Sequence, residues 1–312
     1  MGNLISSEFY KIIKSKAFRV CTIIGIVFAI IGVVSLIYMK KLSTSLVSYN
    51  ESSVEETVST DENSSEVQDV SEVDEENYGD ETGDDGFNII FGRYNFSGEG
   101  VFIIAFSETN LPMLLAIFIA IFVAGEFSNG TIKMIVTRGY SRTQIYFAKL
   151  IASIISGTVM ACILVGVFVL IPTIMWGWHG DNPLNLGASD LLTNLGIQLL
   201  LNATMITVFV GLAMFFRNLG ASIAVSIASV SIGSIIFLIF DLITQKICHE
   251  ANYNVDKLLG MPSEFYIFNT IGNMAKYGFE KNDYLITLIV VCAYSLLFTG
   301  LGLLAFNKSD IK

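Results

Sequence analysis

Six runs of predominantly apolar residues, at 17–38, 107–124, 151–175, 195–215, 221–243 and 285–306, alternate with polar stretches of very unequal length. About twenty such residues cross the hydrocarbon core of a bilayer as a helix. The pattern predicts an all-α integral membrane protein with six transmembrane helices and both ends on one side. The first run is longer than the apolar part of a secretory signal, and no small-x-small cleavage site follows it, so it reads as a retained signal anchor.

The stretches between the runs carry patterns of their own. Over 1–16, Leu4, Ile5, Phe9, Ile12 and Ile13 fall on roughly one helical face, with Glu8, Lys11 and Lys14 elsewhere. That spacing predicts an amphipathic helix lying in the membrane interface with its lysines extended toward water. Residues 125–150, "GEFSNGTIKMIVTRGYSRTQIYFAKL", are far longer than a turn between two spans needs to be. Gly130 breaks the run, Thr131 can begin a short helix through Met134 and Val136, and Ser141 is a plausible N-cap for the helix that becomes span three. The expectation is a helical hairpin projecting from the membrane, with Arg138 and Arg142 near its bend.

Charge adds orientation. The N-terminal piece, the 125–150 hairpin, the link before span five and the 307–312 tail hold eleven Lys or Arg, from Lys11 to Lys312, against seven in the longer stretches on the other side. The positive-inside bias therefore places both termini and the hairpin in the cytoplasm. The outer segments are then 39–106, 176–194 and 244–284. Residues 51–86 hold fifteen Asp or Glu and no Lys or Arg, so they alone account for the formal net charge of −10. Such a single-sign, weakly hydrophobic stretch predicts a disordered acidic insert outside the cell. It reads either as a solvated tether or as an electrostatic lure for a cationic peptide, with Glu72, Asp74, Glu75 and Glu76 at its densest point.

Composition, at 53% hydrophobic and 15% charged, agrees with a membrane protein. No Gly-Lys dipeptide exists for a nucleotide-binding P-loop, and His179, His249 and the four cysteines Cys21, Cys162, Cys248 and Cys292 have no metal-ligand spacing. No enzymatic role, bound cofactor, metal or nucleic-acid partner is expected of this chain. Glu108 reads as a first-turn acid at the start of span two or as a cavity-lining group. In span five, "ASIAVSIASVSIGSIIFLIF", residues such as Ser226, Ser229 and Gly233 form a small-residue face, suited to helix packing, to lining a path, or to both.

The order Gly125-Glu126, Gly130-Thr131, Ser141-Arg142 and Lys149 as span three begins resembles the cytoplasmic coupling segment of type-2 ABC transporter permeases, the exporter family that includes bacitracin and lantibiotic self-protection permeases. The amphipathic N-terminal helix, six spans and large outer segment before span six match its layout. Gly139 stands where members often have proline, and the first outer segment is longer than usual. The resemblance implies a permease subunit in the cell membrane of a bacterium, paired with a second copy or a paralogue and driven by two copies of a separate ATPase that binds ATP and Mg. Glu126, Thr131, Arg138, Tyr140 and Arg142 would dock on and transmit motion from that ATPase, and an amphipathic substrate such as an antimicrobial peptide would be expelled. The competing reading is a non-transporting membrane sensor or tether that captures cationic peptides through its acidic insert.

Overall fold

A computed structural model of the chain describes residues 2–58, 98–105, 110–178, 188–250, 262–268, 270 and 281–308. Among them all regular structure is helical, and six helices are long and apolar enough to cross a membrane. Helix α1 (Gly2–Lys14) is followed by α2 (Lys16–Val58), which contains span one. A short α3 (Gly98–Ile104) precedes span two, built from α4 (Asn110–Ile119), a π-helical turn (Ala120–Ala124) and α5 (Gly125–Ser128). The hairpin helix α6 (Thr131–Val136) leads to α7 (Arg142–Trp176), α8 (Ala188–Phe216), α9 (Leu219–Glu250) and α10 (Lys281–Asn307), which carry spans three to six.

Spans two and four form the interior of the bundle, and most residues of spans one, five and six face outward. Without a hydrophobic drive between helices in lipid, close approach depends on small residues and shape. At Gly211 of α8 an added Cβ would lie 2.8 Å from the backbone oxygen of Phe298 in α10, so spans four and six meet backbone to side-chain-free backbone. At Gly302 of α10 an added Cβ would meet the Tyr146 ring at 2.8 Å, which seats that fully buried ring against span six.

Two features depart from the sequence reading. Helix α2 continues to Val58, into the stretch expected to be an unstructured insert. Once a long apolar helix is nucleated, propagation into polar residues is inexpensive. The lure residues Glu72, Asp74, Glu75 and Glu76, like Glu108, lie outside the described residues. Secondly, part of the 244–284 segment, expected to lie outside the membrane, is buried inside the bundle. Pro262–Phe265 forms a 3₁₀ turn, and Tyr266 and Ile267 after it are buried. The Tyr266 hydroxyl donates to the Ser229 carbonyl, and its ring stacks on Phe237 at 4.7 Å. Gly233, which faces the same ring, is midway along the Leu219–Ile247 span. Phe268 stacks on Phe209 of α8 at 5.8 Å. The described residues here keep helical hydrogen bonds of their own, the Thr270 amide donating to the Tyr266 carbonyl at 2.9 Å, as backbone shielded from water requires.

Candidate functional site at the termini end

The sequence elements α1, the hairpin, the link between spans four and five, and the end of α10 all gather at one end of the bundle. The hairpin is built by two left-handed glycines. Gly130 has φ 69° and Gly139 φ 85°, a region closed to most side chains; they bracket α6 and let the chain reverse in few residues. Ser141 then N-caps α7: its hydroxyl accepts from the Gln144 amide, and the Gln144 side chain accepts in return from the Ser141 amide. This capping box fixes where span three begins.

On α6, Ile132 and Ile135 are buried, whereas Thr131, Lys133, Met134, Thr137 and Arg138 are exposed. Met134 is 65% exposed, a large apolar side chain flanked by cations on an outward face. Tyr140 is half-buried and packs on the core. The predicted coupling residues thus divide by place. Thr131 and Arg138 face outward, although the Thr131 hydroxyl also donates to the Glu126 carbonyl. Arg142 turns inward: its Nη1 donates to the carbonyls of Phe306 at 3.2 Å and Asn307 at 2.9 Å. Arg217, at φ 53°, donates to Ala305 at 2.6 Å. Two guanidinium groups thereby satisfy the open carbonyls at the end of α10, where cations also complement the helix dipole.

Glu126 belongs to a four-membered ionic network. Glu8 Oε1 lies 2.7 Å from Lys11 Nζ, and Glu8 Oε2 3.1 Å from Lys149 Nζ. Glu126 closes the ring, with Oε1 3.2 Å from Lys11 Nζ and Oε2 2.5 Å from Lys149 Nζ. The last is a charge contact whose alignment falls short of a hydrogen bond. Two cations and two anions make the group neutral overall. Lys149 is fully buried and Glu8 1% exposed, and the Phe122 ring of the π-helical turn lies 5.1 Å from the ammonium. Burial opposes ionisation of Glu8, but Lys149 and Lys11 outweigh it and hold its carboxyl below the ordinary value. Burial likewise opposes the charge on Lys11, but its hydrogen bond to Glu8 and the nearby Glu126 hold its pKa above the ordinary value.

Reading the sequence missed Glu8 and Lys149. Glu8 had been placed off the apolar face, yet the buried edge of α1 is Leu4, Glu8 and Ile12, while Ile13 is 70% exposed. Spacing by four was the available signal, since it stacks these three on one face. Lys149 read as a boundary marker; its position two turns into an otherwise apolar helix was the sign of a buried partner.

Of the other candidates, Ser226 is fully buried, and the Ser229 hydroxyl donates to the Ser226 carbonyl at 2.7 Å. Ser229 and Gly233 hold the buried Tyr266, so this part of the small-residue face is a packing surface within the chain.

No curated protein and no solved structure matches the chain. A family model described as "Protein of unknown function (DUF2705)" matches residues 94–312, which include spans two to six, Glu126 and Lys149 but not α1. The chain belongs to that family.

Proposed function

We propose that this DUF2705 family member is the membrane-spanning permease subunit of an ATP-driven ABC exporter, with both termini cytoplasmic and a separate ATPase as its motor. The observation that carries this reading is the ionic network that fastens α1 to the hairpin. Glu8 and Lys11 come from α1, Glu126 from the end of span two and Lys149 from the start of span three. A push on the hairpin would reach spans two and three and the interfacial helix together. The exposed face of Lys133, Met134 and Arg138 supplies a place to push: an apolar side chain for a pocket and cations for carboxylates on a partner.

In this reading the chain binds no ATP; two ATPase copies hold ATP and Mg, and two permeases, identical or paralogous, move between inward- and outward-open states. The substrate is amphipathic, an antimicrobial peptide being the foremost class, and resistance to such a peptide is the expected phenotype.

The test uses the detergent-solubilised full chain and the ATPase encoded beside it. Wild type should co-purify with the ATPase and stimulate its hydrolysis, and Met134→Glu with Arg138→Glu should lose both while keeping the fold. These two side chains face outward, unlike Glu126 and Arg142, whose loss would disturb internal contacts. Absence of binding by wild type would favour the sensor or tether reading.

A further inference from the structure

Span four carries a row of amides where a membrane helix would ordinarily place leucine. Asn194, Gln198 and Asn202 are 1%, 4% and 2% exposed. Spaced by four, they share one face of α8. Among the described residues, both side-chain polar atoms of Asn194 and both of Asn202 lack a hydrogen-bond partner. The row begins near the end of α8 opposite the termini, and Asn202 lies about 16 Å below Leu191 at the helical rise of about 1.5 Å per residue, near the middle of a bilayer. Phe209 continues the same face inward, and Phe268 of the buried Pro262–Phe268 stretch rests on it. The unpartnered amides and the buried turn that carries Phe268 therefore lie on one side of span four, the side turned to the bundle interior.

Buried polar groups without partners are unfavourable in protein and more so in lipid, where polar residues mark sites of function. An amide offers a donor and an acceptor but no charge. Among the described residues no group of His, Cys, Asp or Glu is placed to hold a metal ion. We propose that the Asn194–Asn202 face of span four and the buried Pro262–Phe268 turn form a binding site for an uncharged ligand bearing both donors and acceptors, the chemistry of a peptide amide, entered from the end of the bundle opposite the termini. The site does not depend on whether an ATPase drives the protein.

Cysteine labelling of the full chain in lipid nanodiscs tests it. In a background with Cys21, Cys162, Cys248 and Cys292 replaced by serine or alanine, single variants Asn194→Cys, Asn202→Cys and Leu200→Cys meet a neutral, water-soluble methanethiosulfonate. Leu200 is 45% exposed and off the amide face. Labelling at 194 and 202 should exceed that at 200 by at least about tenfold, because the reactive thiolate forms only where water reaches. N-acetylglycine N-methylamide, an uncharged diamide, should slow labelling at 202 severalfold, and tetramethylammonium should not. Labelling at 194 and 202 no faster than at 200 overturns the site. Labelling unaffected by the diamide, or slowed equally by the cation, overturns the ligand assignment. If Asn202→Cys fails to fold, Gln198→Cys carries the same comparison one turn further out.

Discussion

Lys149→Met removes the only fully buried cation of the ionic network and leaves Glu8, 1% exposed, with Lys11 alone. Deleting one member of a buried pair costs about 3–5 kcal/mol, because the remaining charge is desolvated without compensation. Against this, α1 is held by Leu4 and Ile12, 5% and 2% exposed, each worth about 1.5–3 kcal/mol of burial. The two sums are similar, so the variant relieves the strain by releasing α1 while spans two to six remain packed. At about 1.4 kcal/mol per factor of ten, amide hydrogen exchange across residues 2–14 should accelerate by roughly a hundredfold to a few thousandfold, with exchange in α8 unchanged. Glu8→Gln added to Lys149→Met removes the stranded charge and should return most of the protection. Wild-type exchange in Lys149→Met, or a double variant no better than the single, would refute the claim that this network docks α1.

Acid should loosen the same contact. Because the folded pKa of Glu8 is depressed, its contribution is present above the ordinary value of 4.5 and is lost as pH falls through the folded value. Lys11, whose folded pKa is raised, contributes fully below 10.5 and loses its share as pH rises beyond it. Fluorescence of a probe on α1 should therefore be flat between these limits and change outside them. Gly130→Val, at φ 69°, should destabilise by about 1–2 kcal/mol through the left-handed backbone, and Gly130→Asn by less; melting temperatures in detergent decide this. Gly211→Leu should lower the melting temperature far more than Gly196→Leu, since only the former position meets the Phe298 backbone. Arg142→Ala should expose the last turn of α10 to faster exchange, as its carbonyls lose two hydrogen bonds.

The helical class and the six spans were legible because hydropathy integrates over twenty residues and tolerates local error. The hairpin was legible for a different reason: Gly130 acts through its own backbone and Ser141 through a hydroxyl three residues from its partner, and both perform the local role their types suggest. What the sequence hid depends on contacts distant in the chain. Glu8 and Lys149 are 141 positions apart, and each by itself reads as an interface charge. The inward turn of Arg142 required knowing that α10 ends beside it. The buried Pro262–Phe268 stretch is short and mixed in polarity, so only its stacking on Phe209 and Phe237 distinguishes it from the outer loop its sequence suggests.

Why an ionic network should stand where leucines would pack more simply follows from what each arrangement permits. Apolar surfaces are indifferent to small slides along one another, whereas charge pairs hydrogen-bonded at 2.7–3.2 Å lose those bonds within an ångström and part of their Coulomb attraction with them. A buried pair is a poor source of net stability, but it sets register. Here register matters at one place, the joint where α1, the end of span two and the start of span three converge. Phe122, in the π-helical turn that also packs on spans four and five, touches the Lys149 ammonium. Movement at the joint therefore cannot remain local: it must either break the network or carry the π-helical turn, and with it the wall of the bundle interior.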